Sequence, residues 1–298
     1  MKLGILEFGF YDSKNSDIDI IENIFEYVPE MESMGFERFW LTQHYHKFNC
    51  AWTSPEVILT ALAASTSKIR LGLAGVLIHY CNPLSVATNF KMLDALFNGR
   101  IDLGIAAASV PEVVAKALRS GEVDIKKNVL ELYNFLNNNF DENHSYLNIP
   151  VPPYVKSNLA MWFLSVSGSS SKYAIDYKAN YSQSLFHKYM PLQEHFDVIM
   201  RFRDNYYRRH QEEAKVNIAV ECSCFDDGRI LRNNLNTIKN KSRNLDTHHI
   251  MGNINYCEDE LRKLSEKCQV DELVIVYGGE EDLGLKQNSM ELLGERIL

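Results

Sequence analysis

Residues 54–105 read SPEVILTALAASTSKIRLGLAGVLIHYCNPLSVATNFKMLDALFNGRIDLGI, and their pattern decides the fold. Ser54-Pro55-Glu56 opens a helix, with proline at the first helical position, where a missing N–H costs nothing. The apolar run 69–76 is too short for a helix and reads as a buried strand. Asn82-Pro83 repeats the opening device before a helix over Leu84–Phe97, and Gly99 stops it. A second strand over 100–105 closes the stretch. Two helix–strand units therefore stand in succession.

The same alternation extends in both directions. Further strands are expected at 2–8, 37–42, 160–166, 181–186, 216–222 and 271–277. Ser16 opens the first helix, Ile18, Ile21, Phe25 and Val28 give it a face, and Gly35 ends it. Pro29 lies inside that pattern and predicts a kink or break. Ser109-Val110-Pro111-Glu112 reads as a capping box and Asn255-Tyr256-Cys257-Glu258 as a looser one. The proline-rich segment 140–159 reads as a loop before strand five. Eight strand–helix units without a composition break predict one α/β domain over residues 1–298, a (β/α)8 TIM barrel. An open doubly wound sheet would offer G-x-G-x-x-G after its first strand; Gly9-Phe10-Tyr11-Asp12 stands there instead.

Composition excludes several classes. A net charge of -8 argues against nucleic acid as a partner. The chain holds no apolar run near the ~20 residues of a membrane span, and it opens directly on a strand pattern, so a cytoplasmic protein is expected. Cys50, Cys81, Cys222, Cys224, Cys257 and Cys268 fall at irregular spacings and are expected as reduced thiols. The nine histidines form no metal spacing, and the adjacent His248 and His249 read as surface residues.

In such a barrel, functional residues follow the strand ends. Strand two runs out through Thr42-Gln43-His44-Tyr45, which places His44 on the rim as a catalytic ring or a hydrogen-bonded structural one. Strand five leads into Ser165-Val166-Ser167-Gly168-Ser169-Ser170-Ser171. That turn either presents backbone N–H groups to a phosphate or serves only as an N-cap. His187, after strand six, adds a second titratable ring. No nucleophile elbow, Ser-His-Asp order or paired carboxylates are evident, and the rim is poor in acids and bases.

Residues 54–72, Gly75-Val76-Leu77-Ile78, Asn82–Ala87, Leu93–Gly104, Met161–Leu164, Ser167–Ser171 and Val270–Val276 recur in the right order with barrel spacing. In these the chain resembles the bacterial luciferase-like family of flavin- or F420-dependent oxidoreductases, over essentially its whole length. The resemblance implies FMN at the strand ends, its ring over the barrel mouth and its phosphate near strands four and five. Ala74, Gly75, Ala106, Ser167, Gly168, Ser169 and Ser170 then become the cofactor-binding positions, with Ser167 and Ser170 at phosphate-binding hydroxyls. Ala74-Gly75 falls where the family often has a non-proline cis peptide. His44 matches the histidine of the family's A-E-H-H motif, which assists flavin–oxygen chemistry.

Three positions depart from the family pattern. Gln43 stands for the motif's carboxylate, Ala107 for a frequent arginine, and Val166 for an acidic residue. The region from about 190 to 255 also looks shortened where the family carries lids and substrate loops. The function implied is a monooxygenase that uses O2 and reduced FMN, supplied by a separate flavin reductase because the chain shows no second nucleotide-binding domain. Its substrate would be a small organic molecule, in a secondary-metabolite tailoring role. The alternatives are an FMN- or F420-dependent reductase or dehydrogenase, and a flavin-binding paralogue without catalysis. The resemblance also implies a homodimer through helices near strands two and three, which the apolar residues in 57–66 and 84–97 would permit, though they serve a barrel equally well.

Overall fold

Side chains alternate along each strand between the ring's interior and its outer face, and both sets are apolar enough to be buried. The computed structural model describes all residues except 12–13, 46–49, 98, 119–123, 155–156, 158 and 241–247, and leaves the side chains of 237–240 undescribed. A closed parallel ring is formed by β1 (Lys2–Glu7), β2 (Arg38–Leu41), β3 (Arg70–Leu77), β4 (Ile101–Ala106), β5 (Ala160–Ser165), β6 (Asn180–Ser184) and β7 (Val216–Cys224), with β9 (Glu272–Val276) closing it back onto β1. Outside the ring lies β8 (His249–Gly252), paired to the last residues of β7. The (β/α)8 barrel expected from the sequence is therefore present, with one added strand. The sequence pattern missed β8 because four residues with two apolar ones carry no periodic signal. Pairing to an extended β7 makes it a strand.

The helices follow the strands: α1 (Asp17–Met34), α2 (Pro55–Ser65), α3 (Pro83–Leu96), α4 (Glu112–Ala117), α5 (Ile125–Asn137), α6 (Ser171–Asp176), α7 (Leu192–His210), α8 (Gly228–Asn240), α9 (Ile254–Cys268) and α10 (Leu283–Ile297). Their ends test the sequence reading. Ser16 and Asp19 form a reciprocal capping box, and Gly35 ends α1 at a φ of 98°. The Asn82 side chain accepts from the backbone of Leu84 and Ser85. Pro29, in contrast, does not break α1, which runs on through it while Tyr27, Val28 and Met31 stay buried. Ser54 occupies the cap position of α2 without a side-chain bond. Ser109 forms no capping box, since Pro111 takes the cap of α4. In α9 the cap is Asn253, two residues earlier than expected, because its side chain reaches the Tyr256 amide at 3.0 Å. Among the described residues, 140–159 holds no helix or strand.

Leu3, Ile5, Phe39, Leu41, Leu103 and Ile105 pack outward under the helices, and Leu6, Phe8, Trp40, Trp162, Val274 and Val276 fill the ring. Beneath that filling sits a buried charge cluster. Arg38, 3% exposed, donates through Nη2 to Glu272 at 2.8 Å, through Nε to the same carboxylate, and through Nη1 to Asp102. Asp102 also receives Arg70 Nη2 at 2.6 Å and Trp40 Nε1 at 3.1 Å. The guanidinium carbon lies 5.1 Å from the Trp40 ring centroid and 4.6 Å from that of Trp162. Burial alone would lower the Arg38 pKa; Asp102 and Glu272 beside it raise it overall. Among the described residues, no helix is long and apolar enough to cross a membrane.

Removing one partner of a buried ion network strands the others, a cost of about 3–5 kcal/mol. Arg38→Met is expected to lower the urea-unfolding free energy by that amount. An unchanged midpoint would show that the ring does not depend on this cluster.

Candidate active site

A cavity of about 300 Å³ opens at the C-terminal ends of β1 to β6, the rim where barrel sites form. Its size lies at the lower end of the ~300–1,000 Å³ typical of ligand sites. His44, Ala74, Gly75, Ala106, Ser167, Ser169 and Ser170 all line it. Gly168 does not. Its φ of 85° turns the chain, and a Cβ there would meet Val198 of α7 at 2.7 Å. Among apolar residues at the strand ends, Phe8 lines the cavity, while Val76, Ile78 and Ile105 belong to the outer core.

One wall is backbone. The Ala74–Gly75 peptide is cis, and the β3–β4 register shifts between Leu73 and Val76. A Cβ on Gly75 would lie 2.6 Å from Leu164 Cδ1 and 2.7 Å from the Gly104 carbonyl. Only glycine lets this segment lie flush against β4 and β5.

The opposite wall is aromatic. Phe8 stacks on His44 at 5.3 Å and meets Phe186 edge-on at 6.1 Å; Phe186 in turn contacts His187 at 4.2 Å. His44 Nδ1 lies 3.0 Å from Thr42 Oγ1, and His187 Nδ1 lies 2.6 Å from Ser184 Oγ. Burial, and to a lesser extent His187 beside it, lowers the His44 pKa from 6.5 to about 4. Burial also depresses His187, with Glu221 pulling it back up. Both rings are therefore neutral near pH 7. Neutral imidazoles can each offer one donor and one acceptor.

Gln43 is built into the frame. Its Oε1 accepts from Leu77 N at 3.2 Å and its Nε2 donates to the Tyr45 hydroxyl at 3.2 Å, tying the end of β2 to the end of β3. In the turn after β5, Gly168 N donates to Ser165 Oγ at 2.9 Å, Ser171 N to the Gly168 carbonyl at 3.1 Å, and Ser170 Oγ to the Leu164 carbonyl at 3.0 Å. The turn thus uses several of its own donors, and the exposed hydroxyls are those of Ser167 and Ser169. Behind it, Gln183 Nε2 donates to the Val166 carbonyl at 2.7 Å and approaches Nδ1 of the fully buried His195 at 2.8 Å.

Sequence reasoning missed Thr42, Leu77, Leu164 and Ser184 as cavity residues. The Ser184-x-x-His187 spacing at a strand end was the available signal for one of them; the others carry none. His248 and His249 are half-buried rather than on the surface, bonded to the Met190 carbonyl and to Glu221, respectively, because β8 holds them against the barrel. All six cysteines are free thiols.

Residues 1–143 match the family described as luciferase-like monooxygenase. The Bacillus subtilis protein YwcH is 33% identical over 155 residues, spanning 50% of this chain and 46% of its own. The N-acetyl-S-alkylcysteine monooxygenase of the same organism is 30% identical over 178 residues, or 57% of this chain and 53% of its own. The chain thus spans about half the length of the curated relatives it matches. The oxygenating constituent of 3,6-diketocamphane monooxygenase from Pseudomonas putida, solved in complex with FMN, superposes with a TM-score of 0.73. It covers 100% of this chain and 97% of its own at 13% identity, a likeness of fold alone.

His44 and His195 each sit at about pKa 4 against 6.5 unperturbed. Between about pH 6.5 and 4 the unfolded chain binds protons that the folded one refuses. Their contribution to stability is therefore complete above pH 6.5 and is lost as pH falls through that window. A His44→Gln/His195→Gln double variant is expected to flatten the dependence of the urea midpoint on pH. An unaltered slope would exclude the two imidazoles as its source.

Proposed function

We propose that this protein is a flavin-dependent monooxygenase that binds reduced FMN, received from a separate flavin reductase, and oxygenates a small uncharged organic substrate. The observation that carries this reading is the single cavity in which the glycine ledge, the serine turn and two neutral histidines meet over an apolar floor. The residues fit a flavin. The Ala74–Gly75 ledge offers a planar ring a backbone wall lying flush against β4 and β5, Leu6, Leu77 and Leu164 give it apolar contacts, and Ser167 and Ser169 offer hydroxyls to the distal end. The FMN bound in the diketocamphane enzyme and the monooxygenase activity named for the Bacillus relative support that assignment.

Bound reduced flavin supplies the electrons that activate O2. The chain's own part is to orient the ring, keep water from it and handle protons. Phe8 and Phe186 exclude water from the floor. His44, oriented by Thr42 and stacked on Phe8, gives or takes a proton at the cavity face, and its depressed pKa keeps the neutral form available for either. His187, held by Ser184, faces the substrate side as a second hydrogen-bonding ring. The six free thiols fit a reducing cytoplasm.

With reduced FMN and isotopically labelled O2, small thioethers, ketones and alkenes are the probes to use. Label in the product is expected, and His44→Ala is expected to lower turnover by ~10²–10⁴-fold. Anaerobic reoxidation of the flavin by the probe, with no label incorporated, would instead assign hydride transfer.

A homodimer through α2 and α3 is the assembly proposed, supported by Val57, Met92 and Leu96, which are 71, 49 and 63% exposed. A dimer is expected in analytical ultracentrifugation, and Val57→Asp/Leu96→Glu is expected to shift it to monomer. A monomeric wild-type protein would reject this interface.

A further inference from the structure

β6 reads Asn180-Tyr181-Ser182-Gln183-Ser184, polar where β5 and β7 are mostly apolar. Tyr181 and Gln183 alternate onto its outer face, and both are fully buried. Tyr181 packs on Phe202 of α7, ring centroids 4.9 Å apart. A buried amide is tolerated only with its polar atoms engaged, and those of Gln183 are. Its Oε1 accepts from the Tyr181 hydroxyl, and its Nε2 donates to the Val166 carbonyl at 2.7 Å and meets Nδ1 of His195 on α7 at 2.8 Å.

This arrangement admits one orientation. A carbonyl can only accept, so the Gln183 amide cannot be turned over, and Nδ1 of His195 has to be an acceptor too. His195 is therefore the neutral tautomer that carries its proton on Nε2. Burial, and to a lesser extent His248, keeps it neutral by lowering its pKa to about 4.

Val166 belongs to the turn that lines the cavity with Ser165, Ser167, Ser169 and Ser170. α7 reaches that turn a second time, since a Cβ on Gly168 would lie 2.7 Å from Val198, one helical turn beyond His195. Among the described residues, the N–H groups of Ser167, Ser169 and Ser170 find no partner. Such donors serve a ligand only while the backbone that carries them is held in one place. The six residues of α6, which lack a side-chain cap, are a poor anchor for it.

We infer that Gln183 and His195 are positioning residues for the cofactor: they mount the 165–171 turn on α7, so that its free donors meet the tail of a flavin whose ring lies on the Ala74–Gly75 ledge. The inference rests on the flavin-binding reading above and deepens it. Neither residue lines the cavity, and both act through the Val166 carbonyl.

Three variants test this. Gln183→Met keeps the volume and removes the three bonds, His195→Leu removes the acceptor, and His195→Asn restores an acceptor oxygen near the place of Nδ1. Amide hydrogen exchange is read over 165–171 in the protein without flavin. Fluorescence titration then compares FMN with lumiflavin, which is the ring without the ribityl phosphate tail. Exchange in the turn is expected to quicken by about tenfold or more in Gln183→Met and His195→Leu, and to stay within about threefold of wild type in His195→Asn. FMN binding is expected to weaken by about tenfold in the first two variants and to be retained in the third, with lumiflavin binding unchanged in all three. Equal losses of FMN and lumiflavin would reduce the network to general support of the barrel and overturn the inference. Turn exchange and FMN affinity that ignore the loss of Gln183 would overturn it as well, as would a wild-type protein that binds lumiflavin as tightly as FMN. Should Gln183→Met fail to fold, the contrast between His195→Leu and His195→Asn decides. Wild-type protein that binds neither flavin would overturn the flavin reading together with the inference.

Discussion

Arg38 reaches across the base of the ring from β2 to Asp102 on β4 and Glu272 on β9, and Arg70 completes the set from β3. Four strands that are not all neighbours are thereby locked to one another by charges that have nowhere else to go. A buried guanidinium is tolerable only with its carboxylates in place, so the cluster fixes strand order and tilt together. Trp40 and Trp162 cover it from above, each ring against the cation, at an angle of 74° to one another. This arrangement gathers two arginines and two carboxylates at the barrel's base. Above the tryptophans the described cavity lining carries no formal charge at pH 7, with Glu221 acting on it through His187.

That separation explains the mouth of the barrel. His44 and His187 sit over an aromatic floor with the base cluster insulated beneath them, so burial dominates their titration. A planar ligand on the Ala74–Gly75 ledge, as proposed above, would lie over this neutral floor. Gln43 belongs to this logic as well. A carboxylate at that position would place an unpaired charge on the cavity wall, whereas the amide ties β2 to β3 through Leu77 and Tyr45 and leaves the wall neutral.

The sequence made the ring legible because closing a parallel barrel requires strong, repeated signals: apolar strands at regular intervals and helices opened by Ser16 and Asn82. Positions that line the cavity from strand ends, such as Ala74, Ser167 and His44, followed from strand assignment and family resemblance. What stayed hidden depends on tertiary contact. Ser184 becomes a cavity residue only because β6 turns it toward His187, and Leu164 only because β5 is pressed against Gly75. The caps shifted by two residues in opposite directions: α4 starts after Pro111 instead of Ser109, and α9 starts after Asn253, whose side chain caps it, so that Asn255 falls inside the helix. Pro29 was outweighed by the burial of its neighbours.

The nine residues of β7 serve two partners in succession. Asn217 to Glu221 close the ring against β9, and Glu221 to Cys224 carry β8 beyond it. Closure and outgrowth are thus separated along a single strand, with Glu221 as the joint. β8 lies outside the β7–β9 register that closes the ring. The pairing that shuts the barrel and the pairing that carries the added strand are made by different residues of β7, save for Glu221, which serves both.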